Sequence, residues 1–466
     1  MLKRLLLNSA VFGLAPYLPR ILAVFLLPVL TKYLTEDDYG IIGTVTAYTS
    51  ALSAFTTLGL TQVLFNSFYH SKCQYKWIWR ELYGFLQIWI LLFGIIQAVI
   101  LYFILPEEAA DNKYSIILLS SFTLLFSGTA LLGNTYFQLK QNPLPIAIRT
   151  VFSGTVTIIV NYFLVVFLRM GYLGFFWATC IGTVLVNISY IRVVCIQLGF
   201  SPIYKFKLKT ISRSLRISLP IIPHTYSAYM LNTSNRLVMD RFHMPIAIIG
   251  EFNIAQQFSN LIDSFTGAVN QAINPMTLDE IRNNNHEGIH RLIYIYMTIT
   301  LLVTFLVSLW LKEIFYLLIS NDVLRKTYPY AIILIMAQNA KPMYVASSNV
   351  FFYYENTKSL LKITFVAGIM SLFGYIIFIP LLGVWGAVVV YYVSMIYMGY
   401  AGFFFDFFRM KTLVLFPIFK ILITSVIFTI VAFVLVDSLL LVKVVTSLML
   451  LTAMFVWVYK MKLYKI

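Results

Sequence analysis

Charge is what this sequence has least of. Only 11% of its 466 residues are Asp, Glu, Lys or Arg, and acids are the rarer sign, 18 against 34 bases. A soluble domain carries about 25% charged residues. The scarcity runs from end to end, so it excludes a soluble enzyme, with or without a single anchor. The three cysteines (Cys73, Cys180, Cys195) form neither a ligand cluster nor a disulfide framework. The five histidines are scattered, and the i, i+4 pair His286 and His290 lies in a polar loop, a weak metal set. No glycine-rich phosphate loop of the GxxxxGK[ST] type occurs, so ATP hydrolysis by this chain is not expected, and neither is a cofactor.

What is abundant is apolar surface: 60% of residues are hydrophobic and the mean hydropathy is +0.84. Such a chain hides in lipid and satisfies its backbone within helices or a closed barrel. Its apolar runs are unbroken over about 20 residues, which is helix length, whereas barrel strands alternate over about 10. Fourteen segments read as spans: 9–32, 41–65, 82–105, 114–138, 146–168, 172–195, 217–241, 248–274, 292–311, 328–350, 361–380, 384–405, 414–436 and 438–459. The expected fold is therefore all-α, a polytopic membrane protein of about 14 transmembrane helices. The apolar stretch after Lys3 and Arg4 lacks a clean small-residue cleavage site and reads as an uncleaved first helix.

With the N-terminus in the cytoplasm, alternation puts twenty of the 34 Lys and Arg residues in cytoplasmic stretches and eight in outer ones. That bias follows the positive-inside rule and supports an even number of crossings with both termini cytoplasmic. It also accounts for the net charge of +16 without any nucleic acid. No outer loop is long enough to hold a catalytic domain, so an enzyme is not expected.

The halves echo each other at an offset near 210 residues. Gly171-Tyr172-Leu173-Gly174 opens the sixth segment and Gly383-Val384-Trp385-Gly386 the twelfth. Tyr39-Gly40-Ile41 leads into the second, Ile249-Gly250-Glu251 into the eighth; Tyr136-Phe137-Gln138 ends the fourth, Phe351-Phe352-Tyr353 the tenth. A duplicated six-helix unit predicts residues 1–200 and 201–410 as parallel bundles, related by a pseudo-twofold along the membrane normal. Residues 411–466 then hold two additional helices. Sites in repeat-built transporters commonly lie near mid-membrane.

Polar residues inside the spans are the candidate site. The eighth segment carries a stripe every three or four residues that includes Asn253, Gln256, Asn260, Asp263, Asn270 and Asn274. The second carries Thr46, Thr49, Ser50, Ser53 and Thr57 at matching places, where helix–helix hydrogen bonding is the simpler reading. In the seventh segment His224, Asn232, Arg236 and Asp240 are spaced by multiples of four, hence near one face. Arg20, Arg236 and Lys341 are cations at depth, with Arg149 nearer a membrane boundary. A mid-membrane cation needs water or a partner. Arg20, Arg236, Lys341 and Arg149 are thus candidates to face an anion, and His224, Asn232, Asn253, Gln256, Asn260 and Asn270 to line the cavity. Asp263 and Asp240 are candidates for ion coupling. Arg236 has the alternatives of pairing with Asp240 or with Asp263.

Several stretches resemble bacterial polysaccharide flippases. Leu26-Leu27-Pro28 through Thr35-Glu36-Asp37-Asp38-Tyr39-Gly40 is similar to their first-to-second helix junction, and Ser218-Leu219-Pro220-Ile221-Ile222-Pro223-His224 to the start of their seventh helix. The glycine-bracketed openings at 171–174 and 383–386 resemble those of their sixth and twelfth. The resemblance covers nearly the whole chain and points to the O-antigen (Wzx-type) branch of the multidrug/oligosaccharidyl-lipid/polysaccharide exporter (MOP) superfamily. It implies two six-helix bundles around a cavity, in the bacterial inner membrane. The implied substrate is a polyprenyl-diphosphate-linked oligosaccharide, an O-antigen or capsule-type repeat unit on undecaprenyl diphosphate, moved outward by alternating access. The implied partners are that lipid-linked oligosaccharide, the membrane, and a polysaccharide polymerase with its chain-length machinery. Two alternatives stand beside it: a proton- or cation-coupled multidrug antiporter, and a membrane glycosyltransferase or polymerase.

Overall fold

The structure, a computed structural model, describes residues 18–70, 74–125, 127–140, 142–411 and 416–460. Among these, no strand occurs. In the first part of the chain the helices are α1 (Leu18–Tyr33), α2 (Glu36–Thr57), α3 (Thr61–His70), α4 (Tyr75–Ile104), α5 (Lys113–Phe122), α6 (Ser127–Leu139), α7 (Leu144–Tyr162), α8 (Tyr172–Ile191), α9 (Leu208–Ser218) and α10 (Ile222–Asn232). Then follow α11 (Ser234–Arg241), α12 (Ile246–Arg282), α13 (His286–Leu309), α14 (Leu311–Leu318), α15 (Asp322–Arg325), α16 (Tyr328–Met336) and α17 (Lys341–Tyr353). The last are α18 (Thr357–Leu382), α19 (Val384–Tyr400), α20 (Asp406–Lys411), α21 (Ile418–Leu435) and α22 (Leu440–Lys460).

Ten of the described helical stretches are long and apolar enough to cross a membrane, and the chain is a multi-pass membrane protein. The other four expected spans are helical too, but fall short for physical reasons. Only Leu18–Tyr33 of the first is described. The seventh is interrupted by a short 3-10 turn, Leu219–Ile221, and again at Thr233. The tenth is interrupted by a 3-10 turn, Ala337–Ala340, and the eighth is one 37-residue helix too rich in amides to count as apolar. Large apolar side chains stand exposed on the outer helices, such as Phe103 on α4 and Leu441 and Phe455 on α22. In water that would be a liability; against lipid tails it costs nothing.

Two compact units divide the chain. The first is Met1–Tyr229 with His243–Gly250, the second Met230–Phe242 with Glu251–Ile466. In the first, Trp79, Tyr83, Tyr190 and Phe200 are fully buried at the centre of an aromatic cluster. Trp79 donates its indole N–H to Ser67 Oγ at 2.9 Å, satisfying its one polar atom.

The junction between α1 and α2 shows why its residues are needed. Thr35 caps α2, and Asp38 reaches back to the Thr35 N–H at 2.8 Å, a reciprocal capping box. The other Asp38 oxygen accepts the N–H of Tyr172 at 2.9 Å, so one carboxylate closes the starts of α2 and α8. Gly40 has no room for a Cβ, which would strike the Ile246 carbonyl; a Cβ on Gly250 would strike the Glu36 carbonyl. Each glycine thus meets the residue four before the other. The starts of α2 and α12 press together backbone to backbone.

The glycine-bracketed openings also share a shape. Gly171 (φ 53, ψ −139) and Gly383 (φ 60, ψ −137) precede α8 and α19 in the same left-handed-side conformation, which an L side chain rarely adopts. Gly174 then packs on Leu164 and Val165, and Gly386 on Phe378 and Ile379, so each helix folds back on the one before it.

In the second unit α21 and α22 are tied at one end to the chain around α14. Lys443, fully buried, donates to Glu313 Oε1 at 2.5 Å. Lys312 donates to Asp437 Oδ1 at 2.7 Å, which also accepts the Tyr328 hydroxyl at 2.8 Å. The Lys312 ammonium holds the Asp437 carboxyl below the usual carboxylate range.

Candidate functional site

The second unit holds the polar constellation. Its frame is set by a proline. Pro342 has no N–H to give the Gln338 carbonyl, so the regular helical bond at that point is impossible. The chain tightens into the 3-10 turn Ala337–Ala340, and the Gln338 carbonyl takes the Lys341 N–H instead. Gln338 and Lys341 therefore flank a break in the middle of the tenth segment, and both side chains turn to α12.

On α12, Ser259 and Asp263 are four residues apart, one turn on one face. They form successive rungs to that break. Ser259 Oγ donates to the Leu334 carbonyl at 2.9 Å, and Gln338 Nε2 donates to Ser259 Oγ at 3.0 Å. One turn on, Lys341 pairs with Asp263. The first rung is sealed, with Ser259 and Gln338 at 0% and 1% exposure. The second is open: the Lys341 and Asp263 side chains are 23% and 44% exposed.

The sealed rung extends sideways. Gln338 Nε2 lies 3.2 Å from the Tyr391 hydroxyl on α19, which donates to Asn232 Oδ1 at 3.4 Å. The buried Gln256 also reaches the Tyr391 hydroxyl. Tyr375 on α18 donates to the Leu231 carbonyl at 2.9 Å, beside the break at Thr233. A break frees carbonyls, and buried carbonyls need donors. On the far side, Thr304 of α13 donates to Asn339 Oδ1 at 2.9 Å. Four helices, α12, α13, α18 and α19, thus meet the interrupted segments through hydrogen bonds.

The sequence-predicted residues fall into distinct settings. Lys341 and Asp263 come together. Asn232 and Gln256 join the same network. Arg236 is buried at the start of α11, which packs on α18, and its charge reaches Tyr375. The even spacing of Asn232, Arg236 and Asp240 does not put them on one regular face, because the helix breaks between the first two; Asn232 is exposed, Arg236 buried and Asp240 half-buried. Asn253 is buried, Asn260 exposed and Asn270 half-buried along α12. The His224 side chain lies outside the described residues. In the first unit, Arg20 is exposed on α1 beside Pro19, which packs on Gly154. Arg149 is half-buried, donating to Ser189 Oγ at 3.1 Å and to the Pro145 carbonyl at 2.8 Å, with its guanidinium 4.6 Å from the Tyr190 ring centre. It clamps α7 to α8, and an aromatic face is a good seat for a guanidinium.

Sequence reasoning missed Ser259, Gln338, Tyr375 and Tyr391. Gln338 carried a usable signal, an amide three residues before a mid-span Lys-Pro. The tyrosines carried none, since Tyr is common in this chain. Among the described residues, no three His, Cys, Asp or Glu side chains gather as a metal set.

An all-α membrane fold with a broken, polar tenth segment defines a class, and the comparisons define it further. The chain matches the polysaccharide biosynthesis protein family over residues 5–279, and it belongs to that family. No curated protein matches its sequence closely. Its fold is similar to lipid II flippase MurJ in an inward closed conformation: TM-score 0.75 at 17% identity, covering 96% of this chain and 98% of that one. An inward-facing multidrug resistance MATE family transporter of the MOP superfamily aligns at TM-score 0.62 and 15% identity, over 90% of this chain and 96% of that one. A MOP superfamily transporter from Pyrococcus furiosus, described as having a binding pocket of reversed polarity that suggests a different function, aligns at 0.52 and 15%, over 88% and 94%.

Proposed function

We propose that the protein is a flippase for a polyprenyl-diphosphate-linked oligosaccharide, carrying an O-antigen or capsule-type unit from the cytoplasmic to the outer leaflet of a bacterial inner membrane by alternating access. Family membership supports polysaccharide synthesis, and the MurJ-like fold supports a lipid-linked cargo. The observation that carries the anionic part is the Lys341 side chain at a helix break, 23% exposed and held by Asp263. A diphosphate needs cations in a sheltered place. A sugar chain needs amides and hydroxyls, and the lipid tail can stay in the bilayer. Fourteen crossings in two parallel six-helix repeats (1–200 and 201–410), with 411–466 as two additional helices and both termini cytoplasmic, form part of this reading. So do a polymerase and its chain-length machinery as downstream partners, and cationic roles for Arg20, Arg236 and Arg149.

The likeness to a MATE transporter favours a second reading, a multidrug antiporter. Cationic drugs want an uncompensated acid. Asp263, the acid deepest in the spans, already has a cation on it, which argues for the first reading.

Deleting the gene in its host and following the polysaccharide tests the proposal. The expected result is loss of surface glycan, with complete lipid-linked repeats left facing the cytoplasm. Unchanged surface glycan together with new drug sensitivity would overturn it in favour of the antiporter.

A further inference from the structure

Two ion pairs of the second unit differ in exposure. The Lys443–Glu313 pair is sealed on its basic side: Lys443 has no exposed surface and lies beside the Trp310 ring, 5.9 Å from its centre. The Lys341–Asp263 pair is open on both sides, and the acid is the more open partner at 44% exposure. A sealed pair cannot be opened without stranding a charge in a low-dielectric interior, which is strongly unfavourable. An open pair can be exchanged, because the displaced carboxylate keeps the exposed surface it already has.

The frame around the open pair is independent of it. One turn away, Ser259 and Gln338 hold α12 to the broken segment by buried hydrogen bonds. Parting Lys341 from Asp263 therefore needs only side-chain rotation, with the helices remaining in place. The Lys341 ammonium is a compact point charge, and a phosphate brought beside it repels the Asp263 carboxylate already there.

We infer that Asp263 is a built-in competitor for the anion-binding ammonium of Lys341. A phosphate group must displace the Asp263 carboxylate to reach Lys341, and the returning carboxylate helps expel the phosphate. This rests on the anionic-substrate reading above and deepens it. A bare lysine in such a site would hold a diphosphate and slow its departure; a carrier has to let go as readily as it binds. Asp263 is then a positioning residue that sets release, acting on substrate through Lys341.

The test uses the full-length protein in detergent micelles, with inorganic pyrophosphate as probe. Asp263→Asn is expected to bind pyrophosphate about tenfold more tightly than wild type, the order of effect of removing a close charge competitor. Lys341→Gln, and the double variant with Asp263→Asn, are expected to lose binding. Asp437→Asn, at the exposed pair with Lys312, is expected to leave affinity unchanged. In proteoliposomes loaded with lipid-linked oligosaccharide, Asp263→Asn should lower both the apparent KM and the turnover, a split that a merely structural role would not give. Asp263→Ser, equally uncharged and better hydrated, serves the same comparison should the Asn variant not accumulate. Equal or weaker pyrophosphate binding by a folded, uncharged Asp263 variant would overturn the inference. Absence of pyrophosphate binding by the wild type would instead overturn the anionic-substrate reading itself.

Discussion

Helices α2 and α12 both carry a polar stripe, and the two stripes behave differently. On α2 two of the hydroxyls turn inward to their own backbone: Thr49 Oγ1 donates to the Val45 carbonyl at 3.0 Å and Ser53 Oγ to the Ser50 carbonyl at 2.8 Å. Short hydroxyls can satisfy themselves in this way without any partner helix. The hydroxyls of α12 mostly do the same, as Ser264 does with the Asn260 carbonyl at 2.8 Å. What sets α12 apart is what cannot fold back. Asp263 takes its partner from another segment, and so does Ser259, whose own oxygen also accepts a bond from Gln338. A stripe of hydroxyls is therefore compatible with an ordinary lipid-facing or packed helix. On α12 the carboxylate and one hydroxyl instead take partners across space, and those partners define a candidate site.

The contrast can be broken or sharpened by substitution. The largest effect is expected where the two helices touch. Gly250→Val drives a side chain into the Glu36 carbonyl, with no flexible atom to yield. Little or no folded protein should reach the membrane, read by immunoblot of the membrane fraction and by size exclusion. Gln338→Leu comes next. It removes the donor to Ser259 and Tyr391 and leaves buried hydroxyls short of a partner, at about 1–3 kcal/mol. Thermal unfolding of the purified variant should begin several degrees lower.

Asp437→Asn gives a smaller and pH-dependent change. Bonding to Lys312 lowers the folded-state pKa of Asp437, so its contribution is present above the ordinary carboxylate pKa and is lost as pH falls through the lowered one. The pair is exposed, so the loss should stay below about 1 kcal/mol. Melting curves of wild type and variant should therefore differ near pH 7 and converge in acid. Smallest of all is the double variant Thr49→Val, Ser53→Ala on α2, whose hydroxyls serve only their own helix. A shift within about 0.5 kcal/mol of wild type is expected by the same melt.

Much of this was legible from residue order alone. Long apolar runs announced helices in a membrane, and the ten stretches that qualify as crossings all lie where runs were read. The glycines at 40, 171, 250 and 383 marked places where backbone geometry or close approach leaves no room for a side chain. The polar residues of α12 marked the helix that carries the candidate site. That same polarity is why its hydropathy falls below that of a typical span.

Other features were not legible, for reasons of distance and geometry. The sequence offered Arg236 as a partner for Asp263 and did not point to Lys341, because a stripe gives the face of a helix and not the identity of the neighbour. Lys341 lies in a segment two turns of chain topology away, and only packing decides the pair. The even spacing of Asn232 and Arg236 implied a common face, but spacing assumes an unbroken helix, and Thr233 interrupts it. Pro342 accounts for the break once the structure is seen, but nothing in the residue order shows that Gln338 and Lys341 turn together toward α12.

The most direct measurement compares the two stripes in one strain. The chromosomal gene is deleted, and surface polysaccharide is measured on complementation with Lys341→Gln or with the Thr49→Val, Ser53→Ala pair, each at wild-type abundance in the membrane. The account expects Lys341→Gln to leave the cell without surface glycan and the α2 pair to restore it fully. Normal export by Lys341→Gln, with failure of the α2 variant, would contradict it.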